Sequence, residues 1–338
     1  MVFMRKLAMG LLGILLCVNG YSQEKAIEKQ KVFKGLDRVE VNADFCSLVL
    51  RGHSSEEVIF QGVIESQENL NAYGFEINEQ DGILRVVVMK PDEWKSHWGE
   101  VILTLPAGVA VEAETQSGKV EVTALKDCDL KVVSKSGHVS LNACEGNISV
   151  VSPAGDFKVA QFIGDLQAKT KTGSVDVKGV NGKCDIACAK GSIRVKDVQG
   201  KLSVEGGTGS LEVENVEGDV ALKSTSGDTS LSVAKGNMVL KSFDGDVKLF
   251  NINGVFEVQS STGNITGTRV VFTASSSFSS TEGNIKVQMN EKEDLAFLLK
   301  SSNSYLRAMG KSKKKSLKVG KGSIVITGNS TTGSQSYY

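Results

Sequence analysis

From residue 137 onward, apolar and polar positions alternate in short bursts, and the bursts return every eighteen residues. Val139, Phe157, Val175, Ile193, Leu211, Thr229, Val247 and Ile265 form one column of this repeat. Two residues further on lie Leu141, Val159, Val177, Val195, Val213, Leu231 and Leu249. Half a repeat later come Ile148, Leu166, Cys184, Leu202, Val220, Met238 and Phe256, followed two residues on by Val150, Ala168, Ile186, Val204, Leu222, Leu240 and Val258. A fifth apolar column, Cys144, Phe162, Val180, Val198, Val216, Ala234, Ile252 and Val270, falls between the two halves. Alternation of period two predicts short strands with one face buried. A unit of eighteen residues is too small to bury that face alone, so each unit must stack on its neighbours.

Glycines keep the same period. One series runs Gly137, Gly155, Gly173, Gly191, Gly209, Gly227, Gly245 and Gly263. A second, offset by nine, runs Gly146, Gly164, Gly182, Gly200, Gly218, Gly236 and Gly254. Glycine reaches left-handed backbone angles without a Cβ clash, which suits a sharp bend between strands. Asp156, Ser174, Ser192, Asp228, Asp246 and Asn264 follow the first series, as turn chemistry prefers. The fold predicted is all-β: a right-handed parallel β-helix (β-solenoid) of about eighteen residues per coil. Equivalent residues would lie one strand spacing apart, about 4.8 Å, so eight or nine coils make a rod on the order of 40 Å. Ser152, Thr170, Cys188, Ser224, Ser242 and Ser260 should form a small, mostly hydroxyl-bearing column at one corner. The calcium-binding nonapeptide roll needs Gly-Gly-x-Gly-x-Asp in every half-coil, which is absent, and the nine-plus-nine spacing does not match left-handed hexapeptide helices.

The ends are less regular. Arg5 and Lys6 followed by the apolar run 7–18 and Gly20-Tyr21-Ser22 read as a signal peptide over 1–22, cleaved after Ser22, with no membrane span left in the mature chain. A lipoprotein anchored through Cys17 is the rival reading, disfavoured by the bulky Leu16 before the cysteine. Residues 23–32 read as a linker, and 33–112 as an N-terminal cap with irregular first coils, since an exposed solenoid end must be covered. The regular coils span 113–290, irregular C-terminal coils 291–327, and a flexible tail 328–338. Lys311, Lys313, Lys314, Lys315 and Lys318 read as a solvated basic loop.

Composition narrows the chemistry. Glycine counts 36 residues and proline 3, with 6% aromatics, a balance for many short strands and tight turns. Basic and acidic side chains are equal at 39 each, so no global field steers nucleic acid, and no nucleic-acid partner is expected. Without the leader five cysteines remain (46, 128, 144, 184 and 188), an odd number without paired spacing. Cys184 and Cys188 would sit about 13 Å apart along one strand, so they are expected as buried apolar groups and not as metal ligands.

No catalytic set, cofactor-binding residue or metal site stands out, and an enzyme is not expected. Three scattered histidines support neither a triad nor a zinc site, and no phosphate loop or dinucleotide fingerprint is present. Asp228 and Asp246 would be neighbours in adjacent coils, at a spacing that could suit glycoside hydrolysis. Their position just after the turn glycine favours a turn role. The ligand-contact candidates are Trp94, Trp98 and His97, in a polar segment of the cap. The indoles could stack on sugars, although covering the cap core is the favoured reading.

The units Gln116-Ser-Gly-Lys-Val-Glu-Val122, Lys171-Thr-Gly-Ser-Val-Asp-Val177 and Thr225-Ser-Gly-Asp-Thr-Ser-Leu231, together with the Leu105-Pro106 step, resemble the "putative adhesin" family of bacterial envelope proteins. That family is related to the auto-transporter adhesin head (GIN) domain. The resemblance runs from about residue 33 to 327 and implies a β-helix-like fold in an exported protein of the periplasm or outer-membrane surface. The expectation is a non-catalytic, adhesin-like binding or surface-display module, with envelope polysaccharide or another envelope protein as partner. A carbohydrate-active enzyme (lyase or hydrolase) and a structural or assembly element of the envelope are the alternatives, since fold alone does not choose among them.

Overall fold

A computed structural model of the chain describes residues 25–66, 70–92, 97–289 and 294–338. The expected leader, with Cys17 and the cleavage site, lies outside the described residues. Apart from one 3-10 turn, Leu70–Ala72, the regular structure among the described residues is all β. In the regular part each strand residue outside the bends pairs in parallel with the residue eighteen further on. Val139 thus meets Phe157, then Val175, Ile193, Leu211, Thr229 and Val247. About ten turns stack in this way as a parallel β-solenoid. All five columns read from the sequence are buried, forming continuous internal ladders. Each such aliphatic side chain contributes about 1.5–3 kcal/mol by leaving water.

The two glycine series form two aligned edges. Gly182 has φ +139° and Gly209 φ +127°. A Cβ at Gly182 would lie 2.2 Å from the carbonyl oxygen of Gly164, and one at Gly209 would lie 2.4 Å from that of Gly191. Glycine is therefore required twice over, by backbone angle and by the close approach of the preceding coil. Beside the first series the hydroxyl column closes the bend. Ser224, Ser242 and Ser260 donate to the carbonyls of Gly227, Gly245 and Gly263 at 3.5, 3.3 and 2.9 Å.

A third bend recurs in every coil, at positions the sequence does not advertise. Ala143, Gln161, Gly179, Asp197, Asn215, Val233, Asn251 and Arg269 succeed one another at eighteen residues, with φ between +52° and +70°. Asn, Asp and Gly tolerate this left-handed region, but a β-branched residue is strained there. Val233 is 41% exposed, so its side chain contributes little packing. Val233→Asn is expected to raise stability by about 1 kcal/mol. A thermal melt no higher than that of the parent chain would show that the bend is unstrained.

Both ends depart from sequence order. Strand Arg38–Asn42 lies between Ile83–Met89 and Ala110–Thr115, and strand Ser47–Gly52 lies between His97–Leu105 and Val120–Thr123. The first coil of the chain is therefore second in space. The far end repeats the device. Ile324–Ser330 inserts between Ser276–Ser280 and Leu295–Ala308, while Gln335–Tyr337 inserts between Ile285–Met289 and the end of Leu295–Ala308. A terminal coil held between two others has both edges hydrogen-bonded, whereas at the extreme end it would fray.

Three expectations are corrected at these ends. The segment read as a linker is, from Lys25 onward, strand Lys25–Lys34, paired antiparallel with Glu57–Ser66. The tail read as flexible ends in a buried strand, with Tyr337 at 1% exposure. The lysine run read as a loop is strand Lys311–Gly320, antiparallel to Leu295–Ala308 and forming the last edge of the sheet. Lysines on an exposed edge block pairing with another chain, because their charge cannot be buried between strands. Replacing Lys313, Lys314, Lys315 and Lys318 together by threonine is expected to promote end-to-end association. Sedimentation velocity checks this, and an unchanged association state would deny the lysines that role.

Aromatic side chains plug both ends. Phe60 and Phe75 meet edge-on at 5.4 Å near the N-terminal end. Phe256, Phe272, Phe278, Tyr337 and Phe297 form a chain of contacts towards the other, with ring centroids 5.3 to 6.5 Å apart.

Candidate functional site

Of the three ligand-contact candidates, Trp94 lies outside the described residues. His97 and Trp98 open strand His97–Leu105, where successive side chains point to opposite faces. His97 is half-buried among aromatic rings, 3.9 Å from Phe45 and 5.9 Å from Tyr73 between centroids. Trp98 stands outward at 49% exposure, opposite Glu65 of the antiparallel neighbour. The two residues are thus adjacent in sequence but are not brought together into one contact surface.

Asp228 and Asp246 serve the first-glycine bend. The backbone N–H of Asp246 donates to Asp228 Oδ1 at 3.1 Å, and that of Asn264 to Asp246 Oδ1 at 2.9 Å. The chain of contacts continues through Asn264 to Asn284 and from Asn284 to Ser334. Asp156 stands in the same relation to Ser174 at 2.8 Å. At each of these coils a side chain caps a backbone N–H of the next coil, a bond worth about 1 kcal/mol net. Asp228 also pairs with Lys248 at 2.7 Å. The lysine hydrogen bond and the N–H of Asp246 hold its carboxyl below the usual range, so it is an ionised acceptor at neutral pH.

The five cysteines are free and buried. Burial pushes the thiols of Cys46, Cys128 and Cys184 up to about 12, which keeps them protonated and poorly nucleophilic. Among the described residues no group of three His, Cys, Asp or Glu side chains could hold a metal ion. No helix among them is long and apolar enough to cross a membrane.

What remains is the lateral surface. Opposite charges are stacked coil on coil: Arg194 on Glu212, Lys196 on Glu214, Lys223 on Glu205 and Lys235 on Glu217. Such exposed pairs contribute little stability, about 0–1 kcal/mol each. They match like columns across coils and leave the surface patterned but nearly neutral. Several depressions break its regularity, and two of them bear on binding. One, of about 730 Å³, is walled by the pairs Arg194–Glu212, Lys196–Glu214 and Lys248–Asp228. The other, of about 600 Å³, runs along the third bend from Ala143 to Asn215, with Gly179 among the residues that line it. Its one mark in the sequence is Gly179, a glycine outside both series.

A buried apolar interior, hydrogen-bonded corners and an outer face of polar and charged side chains define a parallel β-solenoid. The chain belongs to the Toastrack DUF4097 family, which matches residues 64–238. Among solved structures it is similar to a "putative cell adhesion protein" from Clostridium sporogenes ATCC 15579, at 11% identity, over 93% of this chain and 99% of that one, with a TM-score of 0.22. It is also similar to a "putative adhesin" from Bacteroides fragilis NCTC 9343, at 13% identity, over 94% and 99% of the two chains, with a TM-score of 0.23. A further "putative adhesin", from Parabacteroides merdae ATCC 43184, aligns at 12% identity over 93% and 96%, with a TM-score of 0.24. No curated protein matches the chain.

Proposed function

We propose that this protein is an exported, non-catalytic binding module of the bacterial envelope that presents its lateral surface to polysaccharide or to another envelope protein. The observation that carries the reading is the division of labour in the coils. Apolar columns fill the interior, and the carboxylates that sequence spacing offered for catalysis, Asp228 and Asp246, are engaged in capping the next coil. A surface of this kind can repeat a contact from coil to coil without moving parts. The apolar run and small residues before Gln23 support export.

The test is retention of the purified chain on envelope fractions and on a glycan array, with each retained glycan assayed for cleavage. Binding without turnover is expected. Turnover of a bound glycan would overturn the non-catalytic reading, and absence of binding to every envelope fraction would overturn the module itself.

A further inference from the structure

We infer that the groove along the third bend is a binding site for a linear, uncharged glycan lying parallel to the solenoid axis, with one sugar over each coil. This rests on the reading of the protein as a binding module and adds the site and the ligand class.

The groove passes the one regular coil whose bend residue lacks a side chain. At the bend position every other coil carries a Cβ, whereas Gly179 carries none and opens a dip between Gln161 of the coil before and Asp197 of the coil after. Its walls hold planar polar groups, Gln161, Asn181, Asp197 and Asn215, beside the aliphatic Ile163, which is 53% exposed. Amides and a carboxylate offer donors and acceptors to vicinal hydroxyls, and an exposed branched aliphatic side chain suits the apolar face of a sugar ring. The groove is also ordered before any ligand arrives. Asn215 Nδ2 donates to Asp197 Oδ1 at 2.6 Å, which fixes both side chains. Less ordering is then left to be done on binding.

Spacing and charge narrow the class. Equivalent side chains recur at about 4.8 Å, so the five coils from Ala143 to Asn215 cover roughly 19 Å. That step is close to the length of one pyranose unit in an extended chain. An extended peptide presents like side chains at every second residue, roughly 6.7 Å apart, and falls out of step. A peptide would also seek an open strand edge, but along this side the ladder bonds already join coil to coil. The groove sets Lys126 against Glu145, Asp197 and Glu217, the last of them paired with Lys235, a balance that gives a polyanion no net attraction.

The experiment measures binding of the full chain to chito- and cello-oligosaccharides of two to six sugars by titration calorimetry, with oligogalacturonate as the charged control. Affinity for at least one neutral series is expected to rise up to five sugars and then level off, with oligogalacturonate at least tenfold weaker. Gly179→Asn is the discriminating variant. Asparagine adopts the bend conformation at Asn215 and Asn251, and a Cβ at Gly179 would meet nothing nearer than 3.5 Å, so the fold should survive with the dip filled. At an unchanged melting temperature this variant is expected to lose at least tenfold in affinity. Glycan binding that Gly179→Asn leaves intact would overturn the groove assignment and leave the binding-module reading standing. Failure of every neutral oligosaccharide to bind, with envelope fractions still retained, would also overturn it. Retention of an envelope protein that Gly179→Asn abolishes, with no oligosaccharide bound, would assign the groove to a peptide and overturn the glycan.

Discussion

Gly182→Ala is expected to destabilise the protein by more than about 3 kcal/mol, enough to leave a large unfolded fraction at physiological temperature. The new Cβ would lie 2.2 Å from the carbonyl oxygen of Gly164, far inside the contact distance of a non-bonded carbon and oxygen. The obstacle is backbone, so no side chain can swing aside to make room. The φ of +139° is itself disfavoured for alanine, at a strain of about 1–3 kcal/mol. Relief requires the coil to move away from its neighbour. Gly182 pairs with Gly164 on one side and Gly200 on the other, so movement weakens both ladders at about 1 kcal/mol per bond. Gly206→Ala is the matched control. It stands outside both glycine series, it lacks a positive φ, and its Cβ would meet nothing nearer than 3.8 Å. Its cost is expected below about 1 kcal/mol. Urea unfolding of the two variants side by side measures the contrast, and equal midpoints would mean that the stacked glycines are not what holds the coils together.

Deleting residues 331–338 is expected to cost more than any single core truncation near that end. Among its last residues, Gln335–Tyr337 is a strand bonded on both edges, to Ile285–Met289 and to the end of Leu295–Ala308. Gln335 Nε2 donates to the carbonyl of Lys300 at 2.7 Å and to Ser330 Oγ at 2.9 Å. The Tyr337 ring sits 6.1 Å from Phe278 and 5.3 Å from Phe297. Tyr337→Ala alone should cost about 3–5 kcal/mol, as for other large aromatic truncations. The deletion also exposes two strand edges that the native chain covers, so soluble aggregates should accompany the lower melting temperature. Tyr337→Phe separates packing from polarity. The phenol oxygen is buried without a hydrogen-bond partner among the described residues, and removing it should be neutral or stabilising by about 1 kcal/mol. A deleted chain that melts with the parent would sink this account of the C-terminal end.

Much of this protein is legible in its sequence, because its middle is periodic. Fifteen glycines in two registers and five apolar columns specify which side of each strand faces inward, and they specify the pairing too, since a slip of one residue would turn valines outward. The turn role of Asp228 and Asp246 followed from their place after the glycine, although its mechanism, a side chain capping the next coil, needed distances. The third bend is not legible in the sequence because its occupants are chemically unlike: Ala143, Gln161, Val233 and Arg269 share a backbone angle and little else. Stacking imposes that angle, so local preference does not announce it.

The ends were illegible for a different reason. Non-repetitive segments carry no spacing from which a partner can be computed, and the coil at 38–52 could as well have been first in space as second. The burial of Tyr337, the threading of both terminal coils between others and the lysine edge strand depend on contacts between segments far apart in sequence. So does the groove at Gly179, which arises where one coil lacks the side chain that its neighbours supply. The repeat alone determined the solenoid, its register and its inside. Only the tertiary structure decided how the two ends close and where the outer face opens, because both depend on how the repeat is broken.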